Sequence, residues 1–261
     1  TLARAARTLS GGELQRIRLT TALGVELTQT LFVLEEPTAG LHARDVDRVI
    51  AAMRRLVALG NTVVVIEHDP QVIAAADWVV DLGPGSGERG GSLVFAGPPS
   101  ALAAHPTSLT GRYLRRWHER WAADRNAVAS ATHAAPPSCV PDAESPVRGK
   151  LSAPPAAVVE SQTVPNGRAK PAAPTLTLSV RERHNLRDFS VTLPLTGLTV
   201  IAGVSGSGKS TLVEEALVPA VTAALAGLPL PDGVTLTADW DGRTERGPDP
   251  AIPLPIAEVL W

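Results

Sequence analysis

The sequence predicts an α/β fold built on a parallel sheet. Two short apolar runs, Leu31–Leu34 and Thr62–Ile66, lack the alternation of a half-buried strand. Such runs suit strands covered on both faces. Between them Val46, Ile50, Met53 and Val57 recur at helical spacing, and Gly60 stands where a helix C-cap belongs. Strand, helix, strand is a βαβ unit. A third apolar run, Leu198–Ala202, leads straight into a glycine-rich loop.

The remaining elements follow in order. Residues 1–121 read as one folded segment, with further strands at Trp78–Leu82 and Ser92–Phe95 separated by a glycine-rich turn at 83–91. Residues 122–174 hold nine prolines and no Phe, Trp, Tyr or Ile, so they bury too little apolar surface to offset ordering entropy. This segment reads as a disordered linker. Thr175–Val180 and Phe189–Leu193 alternate like half-buried strands, and a helix is expected from about Ser210 to Ala226. Residues 228–261 carry six prolines and receive no assigned structure.

Composition narrows the function classes. Apolar residues make up 44% and the formal net charge is −2, an ordinary soluble balance with no global case for nucleic acid. No run approaches the roughly 18 apolar residues of a membrane span. The start, Thr1-Leu2-Ala3-Arg4, shows no export leader and reads as the interior of a longer chain. The single cysteine, Cys139, excludes an intramolecular disulfide and a multi-cysteine zinc site in this stretch, which fits a cytoplasmic protein. Only Lys150, Lys170 and Lys209 among 24 basic residues are lysine, and the first two lie in the linker. Lys209 therefore calls for a chemical explanation.

Gly203-Val204-Ser205-Gly206-Ser207-Gly208-Lys209-Ser210, followed by Thr211, supplies it: G-x-x-x-x-G-K-S after a strand and before a helix. Its glycines let backbone N–H groups turn around a phosphate, and the helix N-terminus adds its positive end. Lys209 places a compact charge by the β- and γ-phosphates of ATP, and the Ser210 hydroxyl suits Mg²⁺. Ser10-Gly11-Gly12-Glu13 forms an S-x-x-E capping box, and its bare glycines also offer N–H groups to an anion. The run Leu31–Leu34 ends in Glu35-Glu36. The pair reads either as solvated acids at a strand end or as a Mg²⁺-side carboxylate, Glu35 acting through water, and a general base, Glu36. His68, directly after the run at 62–67, reads by itself as a capping or core histidine.

Leu9–Glu13, the acidic strand end and His68 resemble the signature, Walker B and switch histidine of ABC ATPases. The metal-side acid in that family is usually Asp, so Glu35 departs by one methylene. The strings between the motifs resemble the UvrA family of ABC-type ATPases: Gly40-Leu41-His42, Gly60–Asp69, Ala76–Gly87 with Gly90-Gly91, Ser108–Leu114, and His184-Asn185-Leu186 ahead of the phosphate loop. The resemblance covers residues 1–117 and 176–226. It implies that residues 1–121 end one ABC nucleotide-binding domain and 175–227 begin a second. In the family's arrangement, Ser10–Glu13 and Gly203–Ser210 would then share one composite ATP site, while Glu35, Glu36 and His68 would serve another. It further implies ATP and Mg²⁺ as cofactors and zinc held by segments outside this chain. It also implies a homodimer, DNA and UvrB-type repair proteins as partners, and a role in excision repair. A drug self-resistance protein of the same family, a transporter or translation-factor ATPase, and a fragment that binds nucleotide without hydrolysing it are the competing readings.

Overall fold

The computed structural model describes residues 27–131, 174–240, 243–247 and 256–260. Ser10, Gly11 and Gly12, with the rest of the signature-like segment, lie outside the described residues, as does the linker from 132 to 173.

Strand β1 (Thr30–Glu35), helix α1 (Ala43–Ala58) and strand β2 (Thr62–Ile66) form the expected βαβ unit, with β1 and β2 parallel. Val46, Val49, Met53 and Leu56 are the buried stripe of α1, and Gly60 ends it with φ +86°, a backbone angle that costs glycine little. Helix α2 (Pro70–Ala74) is capped by the Asp69 side chain with proline at its first position, and strand β3 (Trp78–Gly83) follows. Strand β4 (Ser92–Gly97) turns back antiparallel on β3, then come helices α3 (Pro99–Ala104) and α4 (Leu109–Ala131).

The second half opens with the antiparallel pair β5 (Thr175–Arg183) and β6 (Leu186–Pro194), followed by β7 (Gly197–Gly203). A π-helical turn, Thr211–Leu217, runs into helix α5 (Val218–Leu225). The widened turn has a local cause. Pro219 lacks an N–H and its ring would crowd the carbonyl four residues back, and the preceding Val218 N–H bonds five residues back to Val213. Strands β8 (Val234–Trp240), β9 (Arg243–Gly247) and β10 (Glu258–Leu260) complete the described elements.

Six strands form one sheet in the order β10-β1-β2-β7-β3-β4, and four form a second in the order β6-β5-β8-β9. The larger sheet is covered on both faces, as its unalternating runs require. Phe32, Val63, Val65, Val79, Leu198 and Val200 meet α1 to α4 on one side. Leu31, Val64, Ile66, Val80 and Ile201 meet the helix at 211–225 and the antiparallel sheet on the other. No helix among the described residues is long and apolar enough to cross a membrane.

Two boundaries differ from the sequence reading. The linker does not begin at 122, because α4 runs on to Ala131. That stretch is alanine-rich and meets no proline before Pro136, so nothing local stops the helix. Residues 228–261, to which the proline-rich sequence assigns no element, supply three strands among the described residues, and none of those strands contains a proline.

Polar links tie β7 to the first half. Asp77 accepts hydrogen bonds from Leu198 N–H at 2.7 Å and Arg54 Nη1 at 2.7 Å, while the Thr62 hydroxyl donates to Leu195 O at 2.6 Å. Asp77→Ala should lower unfolding stability by about 1–2 kcal/mol, since its bonds from the Leu198 N–H and from Arg54 are both lost at a half-exposed site. Urea melts of the two proteins check this. Asp81 is buried and accepts from the Ser108 and Thr110 hydroxyls, each at 2.6 Å. Burial raises its pKa against the lowering effect of those hydroxyls. The folded chain thus holds this proton to higher pH than the unfolded chain, so the associated stability is complete below the unfolded pKa and falls as pH rises through the folded one. Melts across that window should show this decline, and Asp81→Asn should flatten it.

Candidate functional site

Parallel strands gather their C-terminal ends on one edge of a sheet, where α/β proteins place their ligands. β1, β2, β7 and β3 run parallel, so the residues that follow each of them meet. After β1 come Glu35 and Glu36, after β2 Glu67 and His68, after β7 the glycine-rich loop, and after β3 the turn at 83–91. Glu35, Glu36, Ile66, the glycine-rich loop and Gly87 of the turn border an open cleft of about 920 Å³, within the size range of small-molecule sites, while Glu67 and His68 stand outside its wall.

The loop at 203–210 is a folded cup. Ser207 N–H bonds back to Val204 O at 3.2 Å, and Leu212 N–H to Gly208 O at 2.9 Å opens the helix behind it. Gly206 and Gly208 have φ of +73° and +101°, which side chains rarely tolerate, and a Cβ on Gly208 would lie 2.8 Å from Asn185 Oδ1. Lys209 Nζ donates to Gly203 O and Val204 O, each at 3.0 Å, so the ammonium is held across the cup. Burial lowers its pKa, and the negative charges of Glu36 and Asp81 oppose that shift.

Ser205, Gly206, Gly208, Lys209, Ser210 and Thr211 line the cleft with Glu35 and Glu36. Gly203 and Ser207 do not. Ser207 is fully buried beneath the loop and its hydroxyl has no partner among the described residues, so its contribution to a phosphate would come from its backbone alone. Ser210 Oγ donates to Glu35 Oε1 at 3.2 Å. Glu36 adopts φ +41°, unusual for a residue with a side chain, and its N–H bonds to Ile66 O at 2.9 Å. His68 Nδ1 lies 3.7 Å from Glu36 Oε1; the ring stands behind Glu36 rather than in the cleft wall.

This arrangement corrects one expectation. Motif order places the acids and His68 in a different domain, and so a different site, from the glycine-rich loop. In the structure β7 seats itself between β2 and β3, so Glu35, Glu36 and the glycine-rich loop border one cleft, with His68 behind Glu36. The physical reason is that β7 is apolar on both faces and pairs with β2 from Thr62↔Gly197 to Ile66↔Ile201 and with β3 from Trp78↔Thr199 to Leu82↔Gly203.

Several contributors carry no signal in the loop motif. Gly87 N–H donates to Gly206 O at 3.0 Å and Gly91 N–H to Ser207 O at 2.9 Å, so the turn at 83–91 holds two peptide planes of the cup. Gly91 has φ +75°, and a Cβ there would stand 1.7 Å from Asn185 O. Asn185, at the β5–β6 turn, donates from Nδ2 to Gly206 O at 3.3 Å, and His184 Nε2 lies 3.1 Å from Glu215 Oε2. Glu88, His184, Asn185 and Arg187 complete the wall. Contacts made only on folding bring them here; the glycines of 83–91 and the His184-Asn185-Leu186 string are the hints in the sequence.

The chemistry available is recognition of a phosphate chain. An amide-lined cup at a helix start, with one ammonium group, attracts a polyanion. Ser210 and Glu35 offer hard oxygens, the donor type for Mg²⁺, which binds one or two protein oxygens and completes its shell with phosphate and water. Their 3.2 Å approach fits that role. Among the described residues no group of three or more His, Cys, Asp and Glu side chains could hold a metal.

No protein-family model matches the chain. Among curated proteins it is 41% identical over 216 residues to UvrABC system protein A of Aquifex aeolicus (strain VF5), covering 83% of this chain and 19% of that protein. To UvrABC system protein A of Mycobacterium leprae (strain TN) it is 42% identical over 226 residues, 87% of this chain and 19% of the relative. The chain thus spans about a fifth of these relatives' length. The crystal structure of UvrA2 from Deinococcus radiodurans aligns over 91% of this chain and 23% of its own, with 36% sequence identity and a TM-score of 0.42.

Glu35→Gln keeps the side-chain length and an oxygen for Ser210 but removes the charge. It should reduce the Mg²⁺ dependence of nucleotide binding by on the order of tenfold while leaving metal-free binding unchanged or slightly tighter. Titration with a fluorescent nucleotide at graded Mg²⁺ measures both.

Proposed function

We propose that this chain, a segment of the UvrA family, builds an ATP·Mg²⁺ site from its own residues. The longer protein it corresponds to would be the ATP-binding and hydrolysing component that recognises DNA damage in nucleotide excision repair. The observation that carries the reading is the seating of β7 between β2 and β3, which sets the phosphate cup within 3.2 Å of the acidic end of β1. Gly206, Gly208 and the backbone of Ser205 and Ser207 would cradle the β-phosphate, and Lys209 would leave its loop carbonyls to meet the β- and γ-phosphates. Mg²⁺, held by Ser210 and by Glu35 through water, would neutralise charge on the phosphates. Glu36 would accept a proton from the attacking water, and His68 would contact the γ-phosphate.

In the family arrangement the Ser10–Gly12 segment would close over a phosphate chain held by another domain, and the whole protein would work as a cytoplasmic homodimer with DNA and UvrB-type partners. The chain alone would bind nucleotide and turn it over poorly. Binding without turnover is the second reading: Glu35 carries one methylene more than the Asp usual at this place in ABC ATPases, which would set its carboxylate differently against a metal on Ser210.

Lys209→Ala should weaken ATP binding by on the order of a hundredfold, because a half-buried charge facing the phosphates is lost. Isothermal titration of both proteins tests this, and equal affinities would remove the nucleotide reading.

A further inference from the structure

Glu67 is almost wholly buried, at 1% exposure, and is neither a lining residue of the cleft nor part of the chemistry above. A buried carboxylate is costly unless its lone pairs are met. Here four donors meet them. Oε1 accepts from the Thr38 N–H at 3.1 Å and from the Thr38 hydroxyl. Oε2 accepts from the His68 N–H at 2.7 Å and the Asp69 N–H at 3.0 Å.

The two oxygens thus grip two different segments. Thr38 lies two residues past Glu36, in the turn where Ala39 N–H bonds to Glu36 O at 2.9 Å. His68 and Asp69 lead from β2 into α2. Glu36 sits between a bond from its own N–H to Ile66 O and the Thr38 clamp, and these flanking bonds hold its φ of +41°. One carboxylate therefore sets the spacing of Glu36 and His68, whose side chains stand 3.7 Å apart.

We infer that Glu67 is a positioning residue: it locks the Glu36 and His68 segments into a single unit that reads the terminal phosphate of a bound nucleotide. The inference rests on the nucleotide reading proposed above. Its physical content is that the cup grips the inner phosphates without Glu67, whereas discrimination of a third phosphate needs both loops in register.

Glu67→Gln separates these effects. The amide is as long as the carboxylate, but one oxygen becomes a donor and must face either the two Thr38 donors or the His68 and Asp69 N–H groups. Affinities for ATP and ADP with Mg²⁺ are measured by calorimetry for wild type, Glu67→Gln and Lys209→Ala, each with a thermal melt. The expected result is a wild-type preference for ATP that falls by on the order of tenfold in Glu67→Gln, with ADP affinity unchanged. Amide hydrogen exchange should show faster exchange at Thr38 or at His68 and Asp69. Retention of the ATP preference in Glu67→Gln overturns the inference. So does a parallel loss of ATP and ADP affinity that tracks the fall in melting temperature, or a wild type that binds both nucleotides equally. Wild-type binding by Lys209→Ala would instead sink the nucleotide reading itself. Should Glu67→Gln fail to fold, Thr38→Ala removes only the hydroxyl bond and should lower the same preference by a smaller factor; no change there overturns the inference.

Discussion

Strand β7 is hydrogen-bonded on both sides, to β2 over five residue pairs and to β3 over five. Both of those neighbours come from the first half of the chain, and β7 comes from the second. Without β7 the sheet would split between β2 and β3, leaving two edges of unpaired backbone groups and two exposed apolar faces. The ladder also fixes height: Leu82 lies opposite Gly203 and Ile66 opposite Ile201, so the phosphate cup emerges level with the ends of its neighbours. A one-residue slip would exchange the side chains that β7 presents to the two cores, which differ in packing.

Apolar packing positions strands but does not shape the loops that leave them. That task falls to a few buried polar side chains in the strands or next to their ends. Asn61 accepts from Thr30 N–H at 3.0 Å and donates to Leu27 O at 2.8 Å and Leu56 O at 3.0 Å, fixing the start of β1 against the end of α1. Glu67 joins the two loops behind the acids. Asp81 joins β3 to the start of α4 through Ser108, whose Oγ also accepts the Gly111 N–H at 2.8 Å. Each satisfies donors that would otherwise be buried and unpaired, which is why such side chains can sit in a core at all.

The site joins opposing charges. Glu35 and Glu36 flank the one lysine of the cup, and phosphates arriving there meet carboxylates as well as amides. A divalent cation on Ser210 and Glu35 would convert that repulsion into a bridge, consistent with oxygen donors 3.2 Å apart at the end of β1. The 41% and 42% identities with UvrABC system protein A extend over 83% and 87% of this chain and about a fifth of those relatives' length.

Local chemistry was legible in the sequence by itself. Apolar runs of strand length, helical spacing at Val46 to Val57, and the G-x-x-x-x-G-K-S string depend on neighbours within a turn or two, so they could be read in place. The seven strands expected from such runs all occur, and the glycine-rich loop at 203–210 folds into a cup ahead of a helix. Which halves share a site was decided only by tertiary structure. Motif order separates the acids at 35 and 36 from the loop at 203, yet strand pairing unites them, because a two-faced apolar strand pairs wherever two open edges await it. The clamps at Gly87, Gly91, Asn185 and Glu67 were equally hidden, since a glycine or a carboxylate acquires its role from the groups that folding brings against it.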